Sequence, residues 1–100
     1  MVTTVISKHD ITIRLTDERW AHIIEEHAEL AKLQAAVLAA VETPTHIFAG
    51  NAGELMVTQE MELGKWLVVV YRETDRDGFI ITAFLTRRRR QLERRKQVWP

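Results

Sequence analysis

The sequence predicts an α+β fold: one or two N-terminal helices packed on an antiparallel meander sheet of about four strands, then a basic C-terminal helix or tail. Three observations predict it. Apolar residues follow helical spacing from about residue 17 to 41. They follow period two from residue 46 to 86. The four segments of that second region are joined by connections too short for a crossover, which forces antiparallel neighbours. One hundred residues is the size of one domain, and such a chain buries about two thirds of its unfolded surface.

Taken in order, VTTVI (2–6) and ITIRL (11–15) are rich in β-branched residues. Ile11, Ile13 and Leu15 alternate with Thr12 and Arg14, the pattern of a half-buried strand. Polar SKHD joins the two segments, so they read as a hairpin or as one strand behind a loose terminus. Thr16 offers an N-cap, with Asp17 and Glu18 in the first turn, where the helix dipole favours negative charge. Leu33, Val37, Leu38 and Val41 keep helical spacing in the second half. A helix of that length is long for so small a domain, so a break is expected between His27 and Ala31. Thr43 precedes Pro44 and closes the helical region.

HIFAG (46–50), ELMVTQEM (54–61), KWLVVVYR (65–72) and GFIITAFLT (78–86) read as the four strands, with Gly53, Gly64 and Gly78 in their connections. In the last strand Phe79, Ile81, Ala83 and Leu85 form the expected helix-covered face. Ile80, Thr82, Phe84 and Thr86 form the other, mixing apolar and hydroxyl groups as a shallow cleft would. Residues 1–86 make up the expected domain and residues 87–100 its basic extension.

The formal net charge is zero, but it is unevenly placed. Residues 87–100 hold seven Lys or Arg against one acidic residue, a net +6. Residues 1–86 hold seven against thirteen, a net −6. A basic end on an acidic body implies a polyanion or acidic-protein partner there, or else a solvated terminal helix. The absence of cysteine excludes disulfides, thiolate nucleophiles and cysteine-based zinc sites. The first ten residues lack a signal-peptide pattern, and the longest apolar run, Trp66 to Tyr71, is too short to span a bilayer. A cytoplasmic protein without a membrane partner is expected.

Two histidines stand in the first helical segment. At 100° per residue, Trp20, Ile23, Ile24, His27, Leu30 and Ala31 share a sector, while His22 lies opposite with Glu25, Glu26 and Glu29. An unbroken helix therefore separates His22 from His27, and their spacing is not the i, i+4 that chelates a metal. His27 reads equally as a core histidine bonded to a carbonyl and as a general acid or base. His22 reads as an exposed imidazole beside glutamates.

The order TDERW (16–20), His22–Ile23, His27-Ala-Glu-Leu, Thr43–Pro44, HIF, VVVYR and ITAF resembles the small ribonucleases of the barnase, EndoU, colicin and RelE superfamily, in particular its phage- and mobile-element-associated branch. The resemblance covers residues 14–87. It implies RNA cleavage by 2′-OH attack, with no cofactor and no metal, and a toxin or mobile-element role. It implies His22, His27 and Thr82 as catalytic residues, with Arg72, Arg87 and Thr86 binding substrate. The chain departs from that pattern at Ala28, where such proteins often carry proline, and in its arginine-rich end. RNA is the implied substrate and an acidic antitoxin or inhibitor an implied protein partner. The competing expectation is a non-catalytic RNA- or protein-binding module that uses the basic tail.

Overall fold

The computed structural model describes residues 1–100 and runs β1 (Val2–Ile6), β2 (Thr12–Thr16), α1 (Asp17–Glu26), a 3-10 turn (Ala28–Leu30), α2 (Gln34–Glu42), β3 (His46–Ala49), β4 (Leu55–Glu62), β5 (Lys65–Glu73), β6 (Gly78–Thr86), α3 (Arg89–Glu93) and β7 (Gln97–Trp99). The strands form one sheet in the order β1-β2-β6-β5-β4-β3-β7. This corrects the expected meander of about four antiparallel strands. The fold is α+β with three helices and a seven-stranded mixed sheet. The β3 to β6 stretch pairs antiparallel. The β1–β2 hairpin then joins β6 by a short parallel pairing, Ile13 opposite Gly78 and Arg14 opposite Phe79. A parallel pair between segments more than sixty residues apart leaves no local pattern, which is why period-two counting missed it.

Thr16 caps α1: its Oγ1 accepts from the Arg19 N–H at 3.0 Å. The helix stops at Glu26, and His27 takes φ −133°, ψ 71°. Its N–H donates to Ile23 O at 2.8 Å, closing the last turn. The chain then makes a single 3-10 turn and restarts as α2. The break therefore lies inside the interval where one is expected from the sequence, and it takes His27 out of the helical sector of Trp20 and Ile23.

Ile13, Leu15, Ile23, Leu30, Val37, Val41, Ile47, Val57, Leu67, Val69, Tyr71, Ile80 and Ala83 form the main core between the helices and the sheet. Burial of this set is the dominant stabilising term. Ile80 belongs to it, at 1 % exposure, whereas Phe79 is 40 % exposed. That reverses the expected faces at the start of β6. The cause is a β-bulge: Val70 pairs with Thr82 but Tyr71 pairs with Ile80, so Ile81 is the extra residue and the alternation changes phase there.

The opposite sheet face is not left open. Phe48, Met56, Val68 and Leu92 form a second core there, with Val70 and Phe84 against it. Leu92 comes from α3, so the basic segment expected as an extension folds back over the sheet. Arg89 fixes it. Its guanidinium lies 4.0 Å from the centre of the Trp66 ring, donates from Nη2 to His46 Nδ1 at 3.2 Å, and pairs through Nε with Glu93 at 3.0 Å. β7 then pairs with β3 at the far edge. No helix is long and apolar enough to cross a membrane.

Candidate active site

β6 has a strand partner on its β2 side only at Gly78 and Phe79. Beyond them its edge is unpaired, and α1 with the 3-10 turn lies alongside in place of a strand. An unpaired strand edge beside a helix end leaves a concave, polar junction. Here it is a hollow of about 270 Å³ lined by Arg19, His22, Ile23, Glu26, His27, Ile81 and Thr82.

Each polar group reaches the hollow for a local reason. Arg19, His22 and Glu26 are spaced three and four apart, so one face of α1 presents all three. His27 follows the last helical residue, and its non-helical backbone turns the ring toward β6. The ring is tilted 37° to Phe84, with centroids 6.1 Å apart, and its side chain is 31 % exposed. It is therefore neither sealed in the core nor free in solvent. Its Nδ1 stands 3.7 Å from Glu29 Oε1, which leaves Nε2 for another partner. Thr82 comes from β6 just past the bulge, paired with Val70.

The structure thus brings together His22, His27 and Thr82, three residues named from the sequence. An unbroken helix would set His22 and His27 apart; the helix ends at Glu26, and both line the hollow. The other three named residues lie elsewhere. Arg72 shares a sheet face with Val70 but its guanidinium turns to Glu54 Oε2 at 3.6 Å. The Ala52 N–H, donating at 3.1 Å, is the main cause that holds the Glu54 carboxyl below its ordinary value, despite desolvation, with Arg72 adding to it. Arg87 is exposed and pairs with Glu62 at 3.8 Å. Thr86 lines a separate hollow farther along the sheet.

Arg19 and Glu26 were not named from the sequence. Their i−3 and i+4 spacing to His22 is the signal that would have found them. Arg19 has no carboxylate within ion-pair distance, unlike Arg14, Arg72, Arg87 and Arg89. His46 supports α3 rather than the hollow. No three His, Asp or Glu side chains converge as a metal site would require.

A second constellation, Ser7, His9 and Glu73, has residue types found in nucleophilic triads. Its order is wrong for that chemistry, because Glu73 sits between the other two. Ser7 Oγ donates to Glu73 Oε2, and His9 Nδ1 lies 2.6 Å from Glu73 Oε1. A base must contact the hydroxyl it activates, and His9 does not. The cluster instead fastens the β1–β2 turn to the end of β5.

No protein-family model matches the chain, and no curated protein or solved structure matches it significantly.

Proposed function

We propose that the hollow beside β6 is the active site of a metal-independent endoribonuclease. The observation that supports this reading is the meeting of two imidazoles, an unpaired guanidinium and a threonine hydroxyl around one solvent-reachable hollow. Transesterification of RNA needs those groups: a base, an acid, a cation for the phosphorane oxygens and a hydrogen-bond donor.

One neutral imidazole removes the 2′-OH proton, and the oxygen attacks the adjacent phosphorus. The P–O5′ bond breaks as the O2′–P bond forms. The other imidazole, protonated, gives its proton to the departing 5′-oxygen, leaving a 2′,3′-cyclic phosphate. His27 and His22 take these two roles. Glu29 Oε1 lies 3.7 Å from His27 Nδ1, so Nε2 is the nitrogen left for the proton transfer. Arg19 neutralises the equatorial oxygens, and the Thr82 hydroxyl donates to one of them. Glu26 lines the same hollow.

The test is cleavage of several unmodified RNAs in EDTA, with cyclic-phosphate ends read on the products. Wild type should cleave. His27→Ala and His22→Ala should each lose about a hundredfold to ten-thousandfold in rate, the usual worth of a positioned acid or base. Their combination should cost far less than the product of the two losses, because the groups act as a unit. Clean wild-type protein that leaves every RNA intact, or variants that cleave at the wild-type rate, would overturn the proposal.

A further inference from the structure

Phe84 has a second neighbour besides His27. It also lines a hollow of about 170 Å³ on the α3 side of the sheet, together with Met56, Thr86, Arg88 and Arg95. We propose that this hollow is a nucleotide subsite, and that a single RNA strand runs from the active site across Phe84 into it. The inference rests on the active-site reading for the position of the scissile phosphate.

Three observations carry it. The first is charge held without a counter-charge. Neither Arg88 nor Arg95 has a carboxylate at ion-pair distance, while four other arginines do. Arg95 is nevertheless held in place, since its Nη1 donates to the neutral Asn51 Oδ1 at 2.9 Å. A neutral amide fixes a guanidinium and leaves its full charge available to an anion.

The second is a free hydroxyl proton. Thr86 Oγ1 accepts from the Arg88 N–H at 3.0 Å, so its own O–H can donate to a phosphate. The third is the placement of the ring. Thr82, Phe84 and Thr86 follow one another along one face of β6, at steps of about 7 Å. An aromatic face between two phosphate-binding positions is what a strand with splayed bases needs, because bases stack on it whatever their sequence. A duplex has its bases stacked internally and offers Phe84 nothing.

Binding is measured by fluorescence anisotropy with a labelled 2′-O-methyl decauridylate, which cannot be cleaved, and with a 2′-O-methyl duplex of the same length. Wild type should bind the single strand more tightly than the duplex. Phe84→Leu should weaken single-strand binding about 5- to 150-fold, the range of one base–aromatic stack. The double variant Arg88→Gln/Arg95→Gln leaves the second core intact. It should lower the slope of log K against log salt by about 1.4, two phosphates at about 0.7 each. Arg76→Gln, which removes an exposed charge in the β5–β6 turn, should change neither. Equal affinity for the duplex, or a double variant that binds as wild type does, would overturn the subsite.

The two readings fail separately. Protein that binds the strand through these residues yet leaves unmodified RNA intact would overturn the active site and leave the binding track. Protein that cleaves RNA with KM unchanged in both subsite variants would overturn the track and leave the active site.

Discussion

Replacing Ala28 with proline should keep the fold and stabilise it. His27 already lies outside the α region that a following proline forbids, at φ −133°, ψ 71°. Ala28 is the first residue of the 3-10 turn, a position suited to proline because the helix uses no N–H there. The hydrogen bonds of this corner come from the N–H groups of His27, Leu30 and Ala31. The Ala28 side chain is exposed, so the ring enters no packed region. What remains is the reduced freedom of the unfolded chain, about 0.4–1 kcal/mol in favour of folding. For a domain of this size that raises Tm by about 2–8 °C. Thermal and urea unfolding measure it, with an unchanged m-value as the sign that only stability moved. Glu25→Pro, inside α1, is the contrast and should cost about 3 kcal/mol or more. A loss of more than about 1 kcal/mol in Ala28→Pro would refute the reasoning. It would mean that α1 continues through residue 28, and then His27 could not turn toward Thr82.

Three further outcomes are expected. Tyr71 is wholly buried, its hydroxyl has no hydrogen-bond partner, and burial pushes its pKa upward with Glu73 adding to it. Tyr71→Phe should therefore stabilise the protein by about 1–3 kcal/mol in denaturant unfolding, and a loss of stability would contradict the unpaired hydroxyl. A Cβ on Gly78 would stand 2.5 Å from both Arg72 O and Ile13 Cδ1 at the β2–β6 junction. Gly78→Ala should cost about 1–3 kcal/mol, and an unaltered melting point would contradict that close approach. His46 is held below the ordinary histidine value of 6.5, first by burial and then by the Arg89 charge, with Glu93 opposing. The folded state favours its neutral form, so this contribution is full above the unfolded value and is lost as pH falls through the lowered folded one. Trp66 fluorescence should report release of Arg89 on acidification, and His46→Gln, which keeps an acceptor, should remove that transition.

The local chain determined the elements. The β-rich run KWLVVVYR marked residues 65–72 as a strand, and β5 forms there. Thr16, Asp17 and Glu18 marked the start of α1, because capping is a matter of a few adjacent residues. His22, His27 and Thr82 were named through the resemblance carried by the short motifs around them, His22–Ile23, His27-Ala-Glu-Leu and ITAF. Their convergence was not, because it depends on three features that local periodicity does not carry. One is the His27 corner, which turns a ring by a single backbone change. Another is the bulge at Ile81, where one inserted residue exchanges the faces of a strand. The third is the short parallel junction with β2, which leaves the rest of the β6 edge unpaired. Sequence likewise showed seven positive charges at the end of the chain but not where they go. Only the packing of Leu92 and the seat of Arg89 on Trp66 turned them back over the sheet. Contacts between residues far apart in the chain decide such placements, since their energy is set by the assembled surface and by no short stretch alone.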